Sequence, residues 1–317
     1  MSTPNHDFGY FIAMIGVVGD LLVDVVVVPA ASLISKSGRL NIGSDTEVTI
    51  TSRSGGSAAN VAKTLAGNSV ASRFIGRVGN DPWGKALTNE LSAAGIDVVC
   101  QSEGRTGTVV VIVSPDGERT MLTDRASAAD LSRPEPAWLD GLDWLHVPFY
   151  SLTGDQLGET ALTLIGWAHE RGIGVSIDAS SEAVLASLGP KVHEALDSAR
   201  PRFLLANEVE AEWLVQRSQQ LSDNLAAGDG LARLATDGVV VHRGANPTVV
   251  YSKLRSWLPM EIGVGSRGHP IVVGNSTGAG DAFAAGFIAG ILNGGSIHEA
   301  VDNAHSVARG HLITSGS

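Results

Sequence analysis

Basic residues are scarce in this chain: 22 Lys and Arg stand against 33 Asp and Glu, a formal net charge of −11 over 317 residues. Such an acid surplus excludes nucleic acid and an anionic membrane surface as main partners. A small phosphorylated ligand stays compatible, because backbone N–H groups bind phosphate without excess Lys or Arg. Cysteine is almost absent. The lone Cys100 excludes an internal disulfide, no CxxC or HExxH spacing suggests a metal cage, and Cys100 itself reads as a small buried hydrophobe. Long unbroken apolar runs are missing too. The N-terminal stretch "MSTPNHDFGYFIAMIGVVGDLLVDVVVV" has no basic leader, and Asp20 and Asp24 interrupt it. Neither a signal peptide nor a spanning helix is expected, so the chain reads as cytoplasmic.

What is present is glycine, 38 residues of it, and 44% hydrophobic residues. Apolar runs of strand length at 11–18, 72–79, 144–150, 174–180, 202–207, 238–243 and 271–274 alternate with amphipathic stretches of helix length. Asp81 as N-cap, Pro82 at the first helical position and Gly95 beyond the end punctuate one helix; residues 155–172 repeat the plan. This rhythm implies an α/β fold, a mainly parallel sheet with helices on both faces. Two regions break it. "TEVTITSR" (46–53) and "TGTVVVIVSPDGERTML" (106–122) alternate polar and apolar residues, and with "DVVVV" (24–28) they predict a small antiparallel sheet beside the main one. No repeat or linker divides the chain, so residues 1–317 read as one domain.

The stretch "IVVGNSTGAGDAFAAGF" (271–287) supports two chemistries. Gly274 to Gly278 fit the G-x-S-x-G elbow that presents a serine nucleophile, here Ser276. That reading needs an acid and a histidine on later strands, and the residues after Ser276 read as two helices instead. In the other reading, Gly278, Ala279 and Gly280 open a helix whose first N–H groups lack internal partners and bind an anion. Asp281 in the first turn would accept a proton from an attacking hydroxyl. Taken alone, Asp281 reads first as an ordinary helix-capping acid. "GVVGD" after the first strand raises an NAD-dependent oxidoreductase as an alternative, but a dinucleotide fingerprint would open a helix at once, and "DLLVDVVVV" reads as strand.

"NSTGAGDAFAAGF" resembles the C-terminal signature of the ribokinase-like (PfkB) carbohydrate kinase family, and "SGGSAANVAKTLAGN…FIGRVGNDPWG" (54–84) resembles its N-terminal signature. The resemblance spans essentially the whole chain. It implies a three-layer αβα ribokinase-like fold with a mainly parallel central sheet and a small β-sheet lid, its strands within about 24–30, 46–53 and 106–123. By resemblance Asp281 is the catalytic base, and Gly278, Ala279 and Gly280 are the anion hole. Asp24, Gly55, Gly56, Asn60 and Arg119 then bind substrate. Asn207 and Glu210 match the N-x-x-E motif, Glu210 holding Mg²⁺ through water; His242, Gly244, Thr277 and His305 fall in the nucleotide site. Here His242 replaces the usual Thr or Lys, Pro247 the last loop Gly, and Asn275 the commoner Asp. The last change weakens the inference of a monovalent-cation site and leaves that cation open.

The resemblance implies an ATP- and Mg²⁺-dependent kinase that phosphorylates a hydroxymethyl group of a sugar or sugar-like molecule. A nucleoside acceptor and a non-catalytic ligand-binding relative are the alternatives. Exposed lid edges predict pairing with a second copy, a homodimer.

Overall fold

Five apolar residues open the architecture: strand β1 (Met14–Val18), buried from Ile15 onward as a central parallel strand must be. The computed structural model describes residues 13–29, 45, 47–113, 119–221, 230–231, 234–263 and 277–315. From β1 the chain crosses Gly19 to Leu21 into β2 (Leu22–Pro29) and returns along β3 (Val48–Gly55). Then follow α1 (Ser57–Gly67), β4 (Ala71–Val78), α2 (Pro82–Ala93), β5 (Asp97–Ser102), β6 (Thr108–Val113) and β7 (Arg119–Asp124). The second half alternates β8 (Trp144–Pro148), α3 (Asp155–Glu170), β9 (Gly174–Asp178), α4 (Glu182–Leu188), α5 (Lys191–Ala199), β10 (Phe203–Asn207) and α6 (Glu208–Leu221). A hairpin, β11 (Gly238–Arg243) and β12 (Asn246–Ser252), leads to β13 (Pro259–Ile262). The GAGD helix (Ala279–Leu292) and the last helix (Ile297–Ser315) finish the described chain.

Nine strands form one sheet in the order β13-β12-β11-β10-β9-β8-β1-β4-β5. All pairs from β11 to β5 run parallel, and β12 and β13 add antiparallel edges. Two separate cores lie on its faces. Leu157, Leu164 and Ala168 of α3, Leu196 of α5 and Leu214 of α6 fill one. Ala62 and Leu65 of α1, Leu87 and Leu91 of α2, Phe283 and Phe287 of the GAGD helix and Val301 of the last helix fill the other. Helix, sheet and helix thus make the three layers expected from the alternation.

The second sheet has the order β3-β2-β6-β7, with β2–β6 parallel and its other pairs antiparallel. Its strands fall in the expected lid segments, but the sheet is mixed where an antiparallel one was expected. Its root is clamped: Asp20, between β1 and β2, accepts two hydrogen bonds from the Arg125 guanidinium after β7, at 2.9 and 2.8 Å. Asp20 is 7% exposed, so it is a buried structural acid.

The expected strand at 271–274, the Pro-Asp-Gly turn, Asn275 and Ser276 lie outside the described residues. Three strands escaped the sequence reading. β5 ends in polar residues, β12 carries Pro247 as its second residue, and β13 is four residues beginning with Pro259. Proline is tolerated at strand starts and sheet edges, and it hides such strands from a pattern search. Gly286 and Gly290 of the GAGD helix face the last helix, where an added Cβ would stand 2.8 Å from the Ala304 Cα and 2.7 Å from the Ala300 Cα. The sheet is met by Phe287, edge-on to Phe203 of β10 at 5.1 Å.

Candidate active site

Gly278 sets the geometry of the anion hole. Its φ of 80° and ψ of 1° are left-handed, a conformation glycine adopts without strain, and from it the GAGD helix starts at Ala279. The first intrahelical bond runs from the Ala282 N–H to the Gly278 carbonyl at 2.8 Å, so the N–H groups preceding it have no partner within the helix. Residues 277 to 280 are half-buried, with no bulky side chain among Gly278, Ala279 and Gly280.

Asp281 projects from this first turn toward the start of α1. Ser57 Oγ donates to its Oδ1 at 2.6 Å, and Asn60 Nδ2 donates to its Oδ2 at 2.9 Å. Both carboxylate oxygens are therefore oriented. Burial raises the carboxyl above its ordinary value, opposed by these two hydrogen bonds and by His311 and Lys63. An elevated acid of fixed orientation suits a proton acceptor. Asn60, expected as a substrate amide, is occupied with holding Asp281. Ser57 and Lys63 were not singled out in the sequence. A serine directly after the Gly-Gly pair was a signal for the first; nothing marked Lys63 among surface lysines.

Asp24 lies on β2 directly opposite Arg53 of β3, with Arg53 Nε 3.6 Å from its Oδ2. Burial raises its carboxyl, and Arg53 and Lys63 pull it back down. Gly55 makes room for it: an added Cβ there would fall on the Asp24 carboxyl group. At Gly56, with φ of 100°, a Cβ would meet the Asp20 carbonyl. The Cβ positions of both glycines thus point at protein groups. Arg119 starts β7, half-buried on the lid.

Across the sheet, Asn207 and Glu210 form a reciprocal cap at the start of α6. The Asn207 N–H and Nδ2 donate to Glu210 Oε2 and Oε1 at 2.8 and 2.7 Å, while the Glu210 N–H donates to Asn207 Oδ1 at 2.9 Å. Glu210 is 4% exposed, and burial raises its carboxyl. Beside it stands an acid the sequence reading passed over, Asp178, the last residue of β9. Burial, followed by repulsion from Glu210 and Asp281, pushes Asp178 well above the usual carboxylate range. Tyr150 is raised by its own burial, with Asp281, Asp178 and Glu210 all contributing. Three acids thus converge from the ends of β9 and β10 and from the GAGD helix. The carboxyl end of a parallel strand is where open α/β sheets bind ligands, a signal that could have picked out Asp178.

His242 ends near the same helix start, its Nε2 3.9 Å from where a Gly280 Cβ would be. It leans on Phe283 at 5.1 Å, and Phe283 meets His305 edge-on at 5.2 Å. His305 Nε2 is also hydrogen-bonded to Thr248 Oγ1 at 2.8 Å. Burial pushes His242 down to about 4, aided by His305. Gly244, with φ of 60°, is an exposed residue of the two-residue turn joining β11 to β12. The Thr277 carbonyl is 2.8 Å from His311 Nε2. His305 and His311 thus each have a hydrogen-bond partner. Cys100 on β5 is half-buried rather than fully buried as expected, and burial pushes its thiol up to about 12.

Comparison with known proteins decides between the readings. The profile of the "pfkB family carbohydrate kinase" matches residues 13–315. The chain belongs to this family. It is therefore a phosphotransferase with an alcohol group as acceptor, and the serine hydrolase and oxidoreductase readings fall. Among curated relatives, a fructokinase from Escherichia coli is 30% identical over 253 residues, 76% of this chain and 78% of the relative. An ATP-dependent ribose-1-phosphate kinase from Halopiger xanaduensis is 30% identical over 266 residues, covering 80% and 78%. Adenosine kinase from Schistosoma mansoni, solved with adenosine and AMP, superposes with a TM-score of 0.76 at 20% identity, covering 95% and 96% of the two chains. At that identity the likeness establishes the shared fold.

Proposed function

We propose that this pfkB-family kinase transfers the γ-phosphate of ATP to a hydroxymethyl group of a sugar or sugar-like acceptor, with Asp281 as the catalytic base. The observation that carries the reading is the double anchoring of Asp281 by Ser57 and Asn60 beside N–H groups of the GAGD turn that have no partner within the helix. As the acceptor oxygen bonds to the γ-phosphorus and ADP leaves, Asp281 takes up the hydroxyl proton. The Gly278, Ala279 and Gly280 amides hold the charge on the transferred group, and positioning with electrostatics carries most of the rate. Asp24 binds acceptor hydroxyls, and the lid excludes water.

The acids fit a magnesium ion held largely by water and phosphate. Among the described residues no group of three or more His, Cys, Asp or Glu side chains could cage a metal ion, and Mg²⁺ beside phosphates needs only one or two carboxylates. Glu210 would hold it through water, with Asp178 next to it; when bound, the ion supplies charge neutralisation at the phosphates. His242 and His305, flanking Phe283, line the place assigned to the nucleotide base. ATP as phosphoryl donor puts the working site in the cytoplasm, in keeping with the absence, among the described residues, of a helix long and apolar enough to cross a membrane. A homodimer through the lid edges β3 and β7 is part of the same reading. Exposed Ile50, Met121 and Leu122 support it; light scattering that finds only monomer at tens of micromolar would remove that part.

Asp281→Asn tests the core. Asparagine keeps an acceptor for Asn60 and places its amide against the Ser57 hydroxyl, so the fold should survive. Turnover should fall about 10²–10⁴-fold while ATP–Mg²⁺ still protects against thermal unfolding. Near-wild-type ADP release refutes the assignment.

A further inference from the structure

Among the described residues, the face of the lid sheet that carries Asp24 holds more positive than negative charge. Strand pairing decides which side chains share that face. Asp24 lies opposite Arg53 on β3 and Val109 on β6, and Val113, four residues on, lies opposite Arg119 on β7. Neighbours across strands project to one side, and positions two apart return to it, so Asp24, Arg53 and Arg119 share one face. Among the described residues that face holds two guanidinium groups and one carboxylate, and only Arg53 contacts Asp24. Arg53 is engaged with Asp24 only at 3.6 Å, and its side chain keeps 43% of its exposure. The Nη1 of Arg119 is shut off from solvent with no hydrogen-bond partner among the described residues. A buried donor without a partner is costly, and a nearby second arginine worsens it. Burial first, then repulsion from Arg53, holds the Arg119 guanidinium below its ordinary value. Lys63, whose Nζ bonds the Ser54 carbonyl and hydroxyl at 3.1 and 3.3 Å, adds a third cation on the same side, offset by Glu90 at 4.0 Å.

Resting on the kinase reading above, we infer that the acceptor carries an anionic group, a carboxylate or a phosphate ester, and that Arg119 with Arg53 receives it while the hydroxymethyl end reaches Asp281. A planar guanidinium fork binds either anion through paired hydrogen bonds, which would satisfy the orphaned nitrogen. Asp24 is left for the hydroxyls in between.

The test is ADP release with ATP–Mg²⁺ and three acceptors: fructose, 2-keto-3-deoxygluconate and ribose 1-phosphate. One anionic acceptor should exceed fructose in kcat/KM at least tenfold, and which one does so tells carboxylate from phosphate. Arg119→Met should cut that preference at least tenfold, through KM rather than kcat, and Arg119→Lys should restore part of it. Arg53→Met serves as a second probe from an exposed position. A preference for fructose, or an anion preference untouched by both arginine variants, overturns the inference and leaves the kinase reading intact. Failure of all three acceptors together with loss of ATP–Mg²⁺ protection would overturn both.

Discussion

Gly55→Ala offers a direct probe of the acceptor site, because the glycine is needed for one reason only. Its missing Cβ is the space occupied by the Asp24 carboxyl group. Adding a methyl group forces Asp24 off its rotamer or pushes β3 away from β2, and overpacking of this kind costs about 1–3 kcal/mol. Thermal unfolding should move by roughly 2–4 °C per kcal/mol in a domain of 150–250 residues, and by less in this longer chain. The acceptor feels the same displacement. If Asp24 holds its hydroxyls, kcat/KM should fall about tenfold for each 1.36 kcal/mol of binding lost, with ATP affinity unchanged because Asp24 belongs to the lid. A double-mutant cycle isolates the cause. In an Asp24→Ala background the carboxyl is gone, and the extra methyl should cost less than about 0.5 kcal/mol. Additive costs in the two backgrounds would refute the steric account, and an unchanged acceptor KM in Gly55→Ala would refute the role of Asp24.

Other outcomes follow from the acid cluster. Asp178 is raised by burial and by Glu210 and Asp281, so the native state holds its proton more tightly than the unfolded chain. The stability this gives is complete below its ordinary value of 3.8 and is lost as pH rises through the raised folded value. Asp178→Asn, which keeps an oxygen for the Ser180 N–H that now donates at 2.8 Å, should raise the unfolding midpoint near pH 8 and lose that advantage near pH 4; a constant gain at both pH values would contradict it. Glu210→Gln keeps the backbone part of the cap, since glutamine serves at that position, and gives up one bond because its amide nitrogen cannot accept from Asn207 Nδ2. The Mg²⁺ concentration for half-maximal activity should nevertheless rise about tenfold, and an unchanged requirement would remove Glu210 from the metal.

Much of the main sheet was legible in the sequence. A run such as "GVSID" or "RFLLAN" is apolar on both faces, only a doubly covered parallel strand wants that pattern, and such strands recur between amphipathic stretches. The helix start at Gly278 with Asp281 in its first turn was legible too, although the role of that acid came from the resemblance of the signatures and not from the local pattern. What composition and spacing could not supply was which groups meet across long separations. Ser57 and Asn60 bond to Asp281 across 224 and 221 residues. Asp20 reaches Arg125 across 105 residues, and Asp24 fills the space of Gly55. Local pattern reports which face of an element is buried. The partner on that face is chosen by sheet order and by the packing of helices around it, so the orientation of the base, the clamp at the lid root and the crowding of Asp178 with Glu210 were decided by tertiary structure alone.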